Sequence, residues 1–94
     1  MPRYRLSARV SSANAEAVRP TLGEFIGPKG VIEKDGADLT VRAELDGASA
    51  RDLNRVLLSA LRRVEKRTRL RSEWTAEGVC ERFFDYVPKG QQPV

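Results

Sequence analysis

The residues best suited to chemistry with an anion lie in the run Leu61–Arg71, Leu-Arg-Arg-Val-Glu-Lys-Arg-Thr-Arg-Leu-Arg, where six of eleven are Lys or Arg. Guanidinium and ammonium groups attract phosphate whatever base it carries, so such a run points to a nucleic-acid backbone or another polyanion. The charge is unevenly placed. Residues 1–47 hold seven basic and seven acidic residues, whereas residues 48–94 hold ten and six, so the whole net charge of +4 sits in the second half.

Two absences narrow the chemistry. The chain has no histidine, and Cys80 is its only cysteine. Neither the usual zinc sites nor Ser-His-Asp and Cys-His nucleophile systems can be built, and no internal disulfide is possible. No Asp/Glu cluster has metal-binding spacing. Cys80 stands beside Glu81 without an evident activating base and reads as a small core residue. A non-enzymatic protein without cofactor or metal is expected.

The elements that must position the cations follow from hydrophobic period. Tyr4, Leu6, Ala8 and Val10 alternate with Arg3, Arg5, Ser7, Arg9 and Ser11, which predicts a half-buried strand. Ser11 or Ser12 offers an N-cap for a helix carrying Val18, Leu22, Phe25 and Ile26. Pro20 either kinks this helix or starts it, and Gly27, Pro28 and Gly30 end it. A short strand, Val31–Lys34, meets the turn signal Asp35-Gly36, and Leu39, Val41, Ala43 and Leu45 alternate beyond it. Ser49 caps a second helix of roughly 17 residues whose apolar stripe is Leu53, Val56, Leu57, Ala60, Leu61 and Val64. From Thr68 the period is two, with Leu70 and Trp74 on one side and Arg69, Arg71 and Glu73 on the other. After Ala76-Glu77-Gly78, taken as a three-residue loop, Val79–Val87 reads as a fifth strand in preference to a short helix capped by Thr75. Pro88–Val94 reads as a loose tail.

The order β-α-β-β-α-β implies one α+β domain over residues 1–87, a ferredoxin-like sandwich with an antiparallel sheet, both helices on one face and an extra C-terminal strand. The first strand then lies beside the fourth. Arg3, Arg5, Arg9, Arg69 and Arg71 fall on the same open face, where like charges on adjacent strands need neutralising. Nucleic acid would do so, as would Glu44 and Glu73 or a partner subunit. The competing reading is a solvated, salt-bridged face. At 100° per residue Arg51, Arg55, Arg62 and Lys66 form a second basic stripe on the second helix, and Leu58 beside it is a candidate dimer contact. The first and third strands carry no outward aromatic for base stacking. In the fifth strand Phe84 and Tyr86 would share a face, with Phe83 on the other, and this segment or an open sheet edge is a further candidate protein contact.

The segment Phe25-Ile26-Gly27-Pro28-Lys29-Gly30 resembles the Ile-Gly-x-x-Gly loop of KH domains, which implies backbone clamping of nucleic acid and requires a helix after the loop. Here Asp35-Gly36 follows after four residues. Leu39–Leu45 leading into Ala50-Arg51-x-Leu53, with Ser59 and Leu61, is similar to the small dimerising subunit of the KEOPS tRNA-modification complex. That resemblance implies a non-catalytic, dimeric assembly subunit. The chain has no apolar stretch near the ~18 residues a membrane span needs. Its start, Met-Pro-Arg-Tyr-Arg-Leu, has strand alternation in place of a signal-peptide core, so a cytoplasmic protein without membrane contact is expected. Two readings of function stand: low-specificity RNA or DNA binding through the arginines above, or a homodimeric or multi-protein assembly subunit.

Overall fold

The computed structural model describes residues 2–84. The elements are β1 (Arg3–Ser11), α1 (Ala15–Ile26), β2 (Val31–Asp35), β3 (Asp38–Asp46), α2 (Ala50–Val64), β4 (Arg69–Ala76) and β5 (Val79–Phe84). One antiparallel sheet has the order β2-β3-β1-β4-β5. The class is α+β, with β1 beside β4 and β5 forming the outer edge. The expected tail and Tyr86 lie outside the described residues.

The alternation in β1, β3 and β4 sends one set of side chains inward. Leu6, Val10, Leu39, Val41, Leu70 and Trp74 are buried against Val18, Leu22 and Ile26 of α1 and Leu57, Leu58 and Leu61 of α2. The helices pack on each other and cover this face. The other face stays open because its residues are mostly charged. No helix among the described residues is long and apolar enough to cross a membrane.

α1 starts later than Ser11 or Ser12 would place it. Ser11 still belongs to β1, and the cap is Asn14, whose Oδ1 accepts the Ala17 N–H at 3.2 Å. Pro20 neither starts nor ends the helix, which runs through it. Gly27 has φ +79°, and its N–H donates to the Gly23 carbonyl at 3.0 Å. A Cβ on Gly30 would lie 2.5 Å from the Ile26 side chain. That glycine is a packing requirement, and β2 begins at the next residue. The helix that a KH clamp requires is therefore absent.

Both hairpin loops have two residues. Asp35 pairs with Asp38, leaving Gly36-Ala37 as the loop, one residue later than the expected Asp35-Gly36 centre. Gly36 has φ +64° and Ala37 is not left-handed. Ala76 pairs with Val79, so the loop to β5 is Glu77-Gly78, with φ of 51° and 81°, and not the expected three residues. Left-handed φ at both positions matches the twist of the flanking strands.

α2 is capped as predicted: Ser49 Oγ accepts the Asp52 N–H at 3.0 Å. It has 15 residues and ends at Val64. Its buried stripe is rotated from the expected one. Asn54 and Leu58 face inward, whereas Val56 and Val64 are 49% and 45% exposed. Asn54 is tolerated inside because β4 supplies partners: the Ser72 hydroxyl donates to Asn54 Oδ1. The Trp74 Nε1–H donates to Asn54 Oδ1 at 3.2 Å and to Ser72 Oγ at 3.1 Å. A buried polar group satisfied this way avoids its desolvation penalty and fixes the rotation of α2 on the sheet.

Candidate functional site on the open face of the sheet

Strand register sets the open face out in rows. One row reads Asp38, Ser11 and Arg69 across β3, β1 and β4. The next reads Thr40, Arg9, Arg71 and Phe84, and a third reads Arg42, Ser7, Glu73 and Arg82, each reaching β5. A fourth reads Glu44, Arg5, Thr75 and Cys80. Arg3, Arg5, Arg9, Arg69 and Arg71 thus share one face as expected.

Charge is sorted across these columns. On this face β2 and β3 carry Glu33, Asp35, Asp38, Glu44 and Asp46 against the single cation Arg42, Lys34 lying on the other face. On the same face β1, β4 and β5 carry Arg3, Arg5, Arg9, Arg69, Arg71 and Arg82 against the single acid Glu73, Glu81 lying on the other face. The face is acidic at one side and basic at the other.

Part of this charge is neutralised within the protein. Arg3 Nε lies 3.1 Å from Glu44 Oε1, and its Nη1 lies 3.1 Å from Asp46 Oδ1. Arg9 Nε donates to Asp38 Oδ2 at 2.8 Å, and its Nη1 donates to Asp35 Oδ2 at 2.9 Å. Arg82 Nε lies 3.1 Å from Glu73 Oε2. Of the predicted neutralising acids, Glu44 takes Arg3, while Glu73 takes Arg82, a residue the sequence reading did not select. Among the described residues Arg5 and Arg42 make no ion pair. The Arg71 guanidinium carbon sits 4.6 Å from the centre of the Phe84 ring, a cation–π contact.

These contacts shift three ionisations. Hydrogen bonds to Glu44 and then Asp46 raise the Arg3 value, and bonds to Asp38 and then Asp35 raise that of Arg9, so both stay charged. Asp38 is held below its ordinary 3.8, first by its bond to Arg9 and then by one from Ser11. A carboxylate lowered on folding contributes stability above its unfolded value, and that stability is lost as pH falls through the lower folded value. A carboxyl-carbon NMR titration of Asp38 is expected to show a midpoint below that of an unstructured peptide. An ordinary midpoint would mean the Arg9 contact does not persist in solution.

The second predicted stripe does not join this face. α2 lies on the opposite, helical layer, and of its predicted cations Arg51 alone approaches β5, where it lines a concavity with Glu81, Arg82, Phe83 and Phe84. Arg55 Nη2 lies 3.6 Å from Asp52 Oδ1. Arg62 turns its Nε–H to the Thr68 carbonyl at 3.0 Å, closing the connection into β4. Lys66 is not on the helix. It lies exposed in the turn after Glu65, at the Arg69 end of β4. Leu58 is fully buried and cannot be a dimer contact in the folded protein.

The sequence reading missed Arg42 and Arg82 as site residues and took Phe84 only as a candidate protein contact. Arg42 was legible as an outward position in its strand. The other two needed the register of β5. Cys80 is exposed on the open face, contrary to the expected core role. No set of three or more His, Cys, Asp or Glu among the described residues is placed to hold a metal ion. No family model, curated protein or solved structure matches this chain.

Proposed function

We propose that this protein is a non-enzymatic ferredoxin-like sandwich, widened by β5, that binds RNA or DNA through the basic half of its open sheet face. The sorting of charge supports this reading: arginines of β1, β4 and β5 lie side by side, while the acids gather on β2 and β3. A phosphate backbone laid over β1, β4 and β5 meets cations in sequence-independent fashion. Arg69 and Arg71 are the main contacts, Arg5 extends the track, and Lys66 adds charge at its end. Arg3 and Arg9 shape the face through their carboxylate partners. Fluorescence anisotropy with labelled oligonucleotides at several salt concentrations tests the reading. A logarithmic slope of about −3 is expected if about four phosphates of a single strand are neutralised. No binding at low salt would reduce the arginines to a solvated surface.

A second reading, the dimeric assembly subunit, is favoured by one observation. Val56 and Val64, both nearly half exposed, lie with Ala60 along one line of α2. About half of each valine faces water in the monomer, and a second copy would bury that half. If the protein is dimeric, Val56→Glu with Val64→Glu is expected to halve its mass in solution and leave a folded monomer whose melting temperature no longer depends on protein concentration. Leu58→Glu is expected to unfold it, at a cost of about 4 kcal/mol or more. A monomeric wild type at high concentration would remove the dimer reading.

A further inference from the structure

We infer that the nucleic acid bound by the open face is single-stranded, with Phe84 and Arg71 as a platform for an unstacked base and Arg5, Arg42 and Lys29 as a separate phosphate site. This inference rests on the nucleic-acid reading above. Two concavities of the open face carry it. One, of about 630 Å³, is lined by Ser7, Arg42, Arg71 and Phe84 among others. The other, of about 700 Å³, is lined by Arg5, Ser7, Lys29 and Arg42 among others. Ser7 and Arg42 belong to both, so the two form one path across the sheet.

The two ends of the path differ in chemistry. At one end Phe84 is 60% exposed, with Arg71 against its ring. A large aromatic surface in water gains from a flat partner, and every base has a π-face to offer. In a duplex the bases are stacked inside, and only phosphates and groove edges reach a sheet surface. At the other end Arg5 and Arg42 are diagonal neighbours on β1 and β3 without ion pairs among the described residues. Lys29 approaches from the α1–β2 loop, which Gly30 holds close against Ile26. From Phe84 to Arg42 is three strand spacings, roughly 14 Å. An extended strand spans this distance with a base at one end and phosphates at the other. Glu73 and Glu44 lie within the path, but Arg82 neutralises the first and Arg3 the second.

The test compares one oligonucleotide sequence as single strand and as duplex, in RNA and DNA forms, against the wild type, Phe84→Leu, Phe84→Tyr and Arg69→Glu/Arg71→Glu. Phe84→Leu keeps an apolar side chain and removes the π-face. It is expected to weaken single-strand binding by roughly tenfold, leave duplex binding and the salt slope unchanged, and be rescued by Phe84→Tyr. Phe84 lies exposed on the edge strand, so these variants fold, and thermal melting checks this. Equal single-strand and duplex affinity, with Phe84→Leu silent but the arginine reversal weakening both, would overturn this inference and leave the basic face standing. Absence of all binding at low salt would remove both together. Preference for RNA over DNA in the single-strand arm would assign the path to RNA.

Discussion

Trp74→Ala is expected to remove about 3–5 kcal/mol of folding stability. A domain of this size holds only about 5–14 kcal/mol, so the variant sits near the folding threshold. Two losses combine. The indole is fully buried, and its removal leaves a large cavity between its strand neighbour Leu6 and Asn54 of α2. Its Nε1–H is also one of the donors that satisfy the buried Asn54 carbonyl. Trp74→Phe separates the two losses: most of the volume returns, the donor does not, and a cost of roughly 1–2 kcal/mol is expected. Asn54→Leu removes the acceptor and leaves Trp74 with Ser72 alone, for a cost of similar size. Urea unfolding followed by far-ultraviolet circular dichroism reads all three, since it does not depend on the tryptophan. A near-neutral Trp74→Ala would mean that the indole does not anchor α2 to the sheet.

The same triad shows where sequence reasoning stopped. Period two in β1, β3 and β4 identified the inward residues and the arginine-bearing face, because a half-buried strand has only two faces to choose between. Period 3.6 is weaker in this respect. On α2 the line through Val56 and Val64 and the line through Asn54 and Leu58 are both available, and composition favours the valines. The inward Asn54 is decided by Ser72 and Trp74, which lie 18 and 20 residues away. The hairpin loops slipped by one residue for a similar reason, since pairing across the sheet decides which residue is the last to pair. The ion pairs of Arg9 with Asp35 and Asp38 join positions 26 and 29 residues apart and become visible only with the register of β1 on β3. Phe84 became a site residue only once β5 was seen to place it opposite Arg71.

Charge reversal at Arg69 and Arg71 together is expected to weaken nucleic-acid binding at least about a hundredfold at low salt. Two charge-assisted contacts are lost, each worth about 1.5–3 kcal/mol, and two repelling carboxylates replace them. The salt slope should fall by about 0.7 for each single-strand phosphate contact removed. Both side chains are exposed on β4, so the fold is expected to survive, although carboxylates beside Glu73 add some like-charge cost. The matched control is Arg55→Glu/Arg63→Glu, two exposed residues of α2, which makes the same change in net charge on the helical layer. Equal weakening by the two pairs would show that overall charge, and not the open face, governs binding. A large effect confined to the β4 pair places the contacts on the sheet.

The most direct test is an amide chemical-shift map of the wild-type protein titrated with a short single-stranded oligonucleotide at low salt. The account predicts that perturbed residues cluster on β1, β4 and β5, around Ser7, Arg71 and Phe84, and extend to Arg42 and Lys29, with α2 beyond Arg51 unchanged. Perturbations confined to α2 and its basic flank, or none at saturating oligonucleotide, would contradict it.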